Sequence, residues 1–222
     1  MKINKIYFIF AIAAMTMSSC QTFQELETNP NVPASSPANL VFNGILNSMT
    51  ERPWGKETRW NQFYTINYNY YGNNEYDWTT SGTYFDALKN VVKMEEEAKK
   101  ATGKDLNPYS ALGKFFKAYF FVWMTQRIGD LPMNEALKGT ENTTPKYNTQ
   151  KEIYAQSLKW LDESNDDLTK LIAAGDISLQ GDIYLSNNLR AWQKVVNTYK
   201  LRILISLSKK DSDGELNIKG RF

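Results

Sequence analysis

The residues best equipped for chemistry in this chain are its single cysteine and a dense run of aromatic side chains. Cys20 closes the stretch Met17-Ser18-Ser19-Cys20, which follows a basic start (Lys2, Lys5) and an apolar run over residues 6–14. Basic, apolar, small and then cysteine is the order of a lipobox, at which a bacterial lipoprotein precursor is acylated on sulfur and cut before the cysteine. The apolar run is too short to span a bilayer, so the first 19 residues read as a cleaved signal peptide and not as a transmembrane helix. Each buried CH₂ of an acyl chain contributes about 0.8 kcal/mol, so several chains on Cys20 hold the product on a membrane. With no second cysteine the exported chain has no disulfide, and packing alone must stabilise it.

The second feature is eleven aromatic residues within residues 54–85, in a chain that is 14% aromatic. Sugars offer C–H faces that stack on flat rings, and Tyr and Trp add a polar tip for a hydroxyl. Residues 67–78 (NYNYYGNNEYDW) mix such rings with amides and a carboxylate in a loop setting. Tyr70, Asn73, Asn74, Tyr76, Asp77 and Trp78 are therefore the candidate ligand contacts. Trp60, Phe63, Tyr64, Tyr68 and Tyr71 recur at three and four residues and read instead as the buried stripe of a helix over 57–71.

Histidine is absent, which removes Ser-His-Asp and Cys-His catalysis and His-ligated metals. Of the 26 basic residues, Lys2 and Lys5 leave with the signal, so 24 basic residues face 24 acidic ones, a balance unsuited to nucleic acid. Glycosidases need only two carboxylates, but Glu95-Glu96-Glu97 and Asp166-Asp167 read as solvated helix faces, and nothing marks an acid in an apolar pocket. Asp211-Ser212-Asp213-Gly214 lacks the spacing of a calcium loop and reads as a turn. The expectation is no enzyme, no metal and no cofactor.

The elements that must position these residues are helices throughout. Residues 20–37 are polar, carry three prolines and form a tether from the lipid. Ser36-Pro37 reads as a cap and first helical residue, with a helix to about residue 50. A further helix is expected from about Gly82 to 101, then one from Asn107-Pro108 to Ile128 that is apolar on more than one face. Gly129, Asp130 and Pro132 make a structural turn: a left-handed glycine cap, an aspartate accepting backbone N–H groups, and a proline that blocks helix resumption. Arg127 and Arg202 are candidates to pair with Asp130. Thr149-Gln150-Lys151-Glu152 is a capping box that opens a helix to about 174, and a last helix covers 188–208. Nothing reads as a period-two strand. The class is all-α, with antiparallel pairs 82–101 with 108–128 and 149–174 with 188–208, and pairs at this spacing suggest tetratricopeptide-like units.

Several pieces occur together in a familiar order. They are the Cys20 lipobox, Asn29-Pro30-Asn31, and the aromatic helix from Tyr109 into Gly129-Asp130-Leu131-Pro132. Glu135-Ala136-Leu137-Lys138-Gly139, Pro145-Lys146-Tyr147-Asn148-Thr149-Gln150 with Ile153-Tyr154, the stretch from Trp192 to Asn197, Leu201-Arg202 and Ile203 to Ser208 follow. In these the chain resembles the SusD/RagB-like outer-membrane lipoproteins of Bacteroidetes, in their SusD-like branch. The resemblance implies tetratricopeptide-like helix pairs with irregular ligand-binding loops and no catalysis. It also implies a lipid-anchored protein facing the cell exterior, which captures oligosaccharide or peptide for a SusC-like TonB-dependent barrel transporter. Family members are longer, so residues 38–222 are expected to be an N-terminal part of the domain without its C-terminal half. The competing reading is a helical-repeat envelope scaffold that binds no nutrient.

Overall fold

The structure is a computed structural model that describes residues 35–50, 55, 58, 61, 63 and 83–222. Residues 37–222 form one compact unit. Six helices are described: α1 (Ala38–Ser48), α2 (Phe85–Thr102), α3 (Pro108–Ile128), α4 (Gln150–Ala173), α5 (Leu189–Ser206) and the short α6 (Ile218–Arg221). A two-residue antiparallel ladder joins β1 (Leu131–Pro132) to β2 (Tyr147–Asn148). The all-α class stands, with consecutive helices packed in pairs as expected.

α3 is the centre because its sequence is apolar on every side but one narrow stripe, Ser110, Lys114 and Lys117, for most of its length. Leu112, Phe115, Phe116, Phe120, Phe121, Val122 and Met124 are all buried, and α3 packs on α2 at one side and α4 at the other. α1 closes against α2, and α5 against α4. Phe42 of α1 meets Tyr109 and Phe116 of α3 and Trp192 of α5, each pair at 5.9–6.0 Å between ring centroids. Trp192 in turn lies 5.9 Å from Phe115 and 6.0 Å from Phe116. Each such pair contributes about 0.5–1.5 kcal/mol beyond the area it buries, so this ring cluster ties three helices together.

Helix starts follow the caps written in the sequence. Asn107 accepts from the Ser110 backbone N–H at 2.9 Å, and Ser110 Oγ accepts from the Asn107 N–H at 3.1 Å. Thr149 and Glu152 make the same reciprocal pair. Ser36-Pro37 departs from expectation: Pro37, in an extended conformation, is itself the residue before the first turn, and no side chain caps α1. α2 starts at Phe85 and not near 82, after an uncapped Tyr84.

The charge runs are solvated only in part: Glu96 and Asp166 are exposed as expected, but their neighbours are not. Glu95 is held at 2.6 Å from Lys117 of α3, packed against Gly113, where a side-chain Cβ would sit 2.3 Å from its carboxylate. Glu97 is buried and accepts from Lys93 and Lys100, each at 2.9 Å. Asp167 binds Lys114 of α3 at 2.7 Å. A run of acids on one helix thus splits by angle, and the residues turned toward α3 meet its two lysines. The buried Ser164 Oγ donates to the Ala111 carbonyl between α4 and α3 at 2.8 Å.

The turn after α3 also differs in detail. Gly129 has φ 85° and ψ −126°, a positive φ that favours glycine but not the left-handed helical cap. Asp130 accepts from the Gln150 N–H at 2.8 Å, so it serves the start of α4 and not its own turn. Pro132 sits in β1 opposite Tyr147. This ladder has only two residues per strand, too few for a period to be seen in sequence. Arg127 and Arg202 do not pair with Asp130; among the described residues neither makes an ion pair with a carboxylate. Asp213 does make a turn, accepting from the N–H groups of Glu215 and Leu216.

The loop 174–188 is strapped to the body by specific bonds. Tyr109 Oη donates to the Gln180 carbonyl and accepts from the Gln180 N–H, at 3.2 and 3.0 Å. Asn43 donates to the Gly181 carbonyl and Tyr184 Oη to that of Leu46. Asp182 organises the rest, accepting from the N–H groups of Tyr184, Leu185 and Asn187 and from Trp192 Nε1.

Candidate functional site

Where α3 and α5 diverge near the C-terminal end of α1, a groove of about 410 Å³ opens. α3 contributes Tyr119, Trp123 and Arg127, one turn apart, with Val122 and Gln126 beside them. α5 contributes Tyr199, Arg202, Ile203 and Ser206 at the same helical spacing, and Met49 closes the end. Two rows at three- and four-residue intervals face each other because both helices keep their regular period there.

The rings of the groove are largely occupied with one another. Tyr119 and Tyr199 lie 5.2 Å apart, and Tyr84 stands edge-on to Trp123 at 4.6 Å. The Arg127 guanidinium lies over the Trp123 ring, its Cζ 3.5 Å from the centroid, and its Nη1 donates to the Trp123 carbonyl at 3.1 Å. Such a contact contributes about 0.5–1 kcal/mol at an exposed site. Trp123 Nε1 is buried without a hydrogen-bond partner. Tyr199 Oη donates to the Tyr119 carbonyl at 3.3 Å, and burial pushes its phenol pKa well up, so it stays a neutral donor. What the groove turns outward is polar: Gln126, Arg127, Arg202 and Ser206 are all exposed. Among the described residues no carboxylate lines it. Among the described residues no cluster of three or more Asp, Glu, Cys or His side chains can hold a metal ion.

The sequence-predicted ligand residues Tyr70, Asn73, Asn74, Tyr76, Asp77 and Trp78 lie outside the described residues, as does Cys20. Of the expected aromatic stripe only Phe63 is described, and it is 81% exposed, which does not fit a core position. Gly129, Asp130 and Pro132 lie together in the turn that carries α3 into β1. Sequence reasoning passed over the groove because Tyr119, Trp123 and Tyr199 look like core residues. A usable signal was present: Tyr119, Trp123 and Arg127 fall at i, i+4 and i+8, and Tyr199, Arg202 and Ser206 at i, i+3 and i+7. On both rows an apolar ring is followed by a cation, the mark of a helix face at the edge of a core.

The fold defines a class: a protein of packed helix pairs with a groove at one edge. A family model described as starch-binding and associating with the outer membrane matches residues 29–219. The chain belongs to this SusD-like family. No curated protein matches it. Among solved structures it is similar to a candidate outer-membrane, nutrient-binding protein of Bacteroides vulgatus, at 30% identity and a TM-score of 0.69 over 84% of this chain. Two SusD homologues of Bacteroides fragilis are similar at 28% identity, TM-score 0.66, over 84% of this chain, and 31% identity, TM-score 0.57, over 78%. The chain spans 40%, 39% and 36% of the length of these three proteins.

Proposed function

We propose that the chain is a surface-exposed, lipid-anchored nutrient-binding protein that captures an oligosaccharide, or a peptide, and passes it to a SusC-like TonB-dependent transporter. The observation that carries this reading is the family match over residues 29–219, a range that includes the residues lining the groove. Acylation at Cys20 after removal of residues 1–19 would supply the anchor, and residues 20–37 the tether. Binding would be reversible, by hydrogen bonds from the groove and by the rings and amides of residues 70–78.

Calorimetric titration of the chain from residue 21 onward, against oligosaccharide and peptide libraries, tests the reading. Binding weakened by Tyr76→Ala with Trp78→Ala, or by changes in the groove, supports capture by this chain. Absence of binding to every member, with the protein folded, returns the envelope-scaffold reading.

A further inference from the structure

The shape of the groove says more about its ligand than its aromatic content does. A neutral sugar recognised by stacking needs a bare ring face, and the rings of this groove are turned to other uses. Trp123 is covered by Arg127 and met edge-on by Tyr84. Tyr119 and Tyr199 pack on each other. The indole N–H of Trp123 is buried and cannot reach a ligand. The exposed functional groups are two guanidiniums, an amide and a hydroxyl.

Both guanidiniums lack a carboxylate partner among the described residues, although the surrounding helices are rich in ion pairs. Arg127 is held over Trp123 and gives an Nη1 N–H to a backbone carbonyl, leaving other donors of its five-donor fork for use. Arg202 stands across the groove on α5. The positive charge of both reaches the Tyr199 phenol, where each favours the ionised form against burial. Among the described residues no acid in the groove wall offsets them. A concave site of one sign, walled by apolar rings, concentrates the opposite charge.

We propose that the α3–α5 groove binds an acidic oligosaccharide, a sugar chain carrying carboxylates as in a uronic acid, with Arg127 and Arg202 each forking one carboxylate. Gln126 then serves the hydroxyls beside that group, with Ser206 as an acceptor, since its own hydroxyl donates to the Ile203 carbonyl at 2.7 Å. The assignment to a saccharide rests on the nutrient-binding reading above; the assignment of charge rests on the two arginines. The planar fork matches a carboxylate with two parallel hydrogen bonds, which a lysine cannot reproduce.

The test titrates the chain from residue 21 onward with three probes: a galacturonic acid oligomer, a malto-oligosaccharide of equal length and an oligoglutamate. The expected result is binding of the galacturonate oligomer ahead of both others, weakened as salt is raised. Arg127→Gln and Arg202→Gln each weaken it about tenfold or more, whereas Arg127→Lys and Arg202→Lys recover only part of the loss. Circular dichroism on each variant separates lost binding from lost folding, and a Gln variant that unfolds is replaced by its Lys counterpart. Equal or better binding of the neutral oligomer, indifferent to both arginines, overturns the charge inference and leaves nutrient capture standing. Oligoglutamate bound as well as galacturonate overturns the saccharide. Failure of all three probes, with the protein folded, overturns the acidic-saccharide inference, while nutrient capture is decided separately by the library titration above.

Discussion

Gly181 is where a single methyl group should do the most damage for the least chemical change. It has φ +85°, and a Cβ added there would sit 2.2 Å from the Asn39 carbonyl oxygen of α1 and 2.9 Å from its carbon. The obstacle is backbone, inside a helix, so it cannot rotate aside. Placing alanine at a left-handed φ costs about 1–2 kcal/mol, and forcing a methyl into a filled contact about 1–3 kcal/mol. Backing the loop away from α1 also stretches the bond from Asn43 to the Gly181 carbonyl, now 3.3 Å, at about 1 kcal/mol. Stiffening of the unfolded chain returns about 0.4–1 kcal/mol. The terms overlap, so the expected loss for Gly181→Ala is about 3–4 kcal/mol. Gly175→Ala is the control: φ is +68° but nothing lies within 4 Å, so only the conformational cost of about 1 kcal/mol remains. Urea unfolding followed by tryptophan fluorescence reads both. With m of about 1–3 kcal/mol/M, Gly181→Ala should lower the midpoint by more than about 1 M, at unchanged m. Equal midpoints for the two variants would show that the 174–188 loop does not rest on α1, and the strap described above would be wrong.

Four further outcomes are expected. Asp182→Ala should cost about 2–3 kcal/mol, because three backbone N–H groups and Trp192 Nε1 lose one acceptor; a chemical-denaturation midpoint near wild type would contradict it. Burial holds the Glu95 carboxyl pKa above its usual range, against the opposing pull of Lys117. The folded state therefore takes up that proton more readily than the unfolded chain. Stability from this group is present below the ordinary carboxylate range and is lost as pH rises through the raised value, and Glu95→Gln should flatten that slope in a pH series of melting temperatures. Glu152 runs the opposite way: hydrogen bonds from the Thr149 N–H and then its hydroxyl hold its pKa down. Its contribution is present above the ordinary value and is lost as pH falls through the lowered one, so Glu152→Gln should matter at neutral pH and little in strong acid. Phe116→Ala, at a fully buried ring touching Phe42, Phe115, Phe120 and Trp192, should cost about 3–5 kcal/mol by urea unfolding.

Local chemistry makes the helices legible in the amino-acid sequence. Asn107-Pro108 and Thr149 to Glu152 announce helix starts through donors that must be satisfied, and the dense apolar content of α3 announces its burial. What could not be read was everything decided between helices. Whether Glu95 faces water depends on Lys117 of α3 being placed against it by packing, and Gly113 makes room for Glu95 only because α2 crosses there. Asp130 looked like a turn residue because its partner, the Gln150 N–H, is twenty residues away. The groove failed to show for a related reason: Tyr119, Trp123 and Tyr199 carry the same letters whether they fill a core or edge a cleft. Only the cations that follow them on each helix distinguish the two. The family resemblance was legible because it rests on ordered motifs and not on contacts.

The most direct test of nutrient capture at the surface uses intact cells producing the chain and a fluorescent pool of oligosaccharides, read by flow cytometry. The account predicts labelling above cells without the protein, abolished by Cys20→Ala, which releases or retains the protein away from the outer face. Intact cells that carry the protein at their surface, shown by antibody, yet gain no label from oligosaccharide or peptide pools would contradict it.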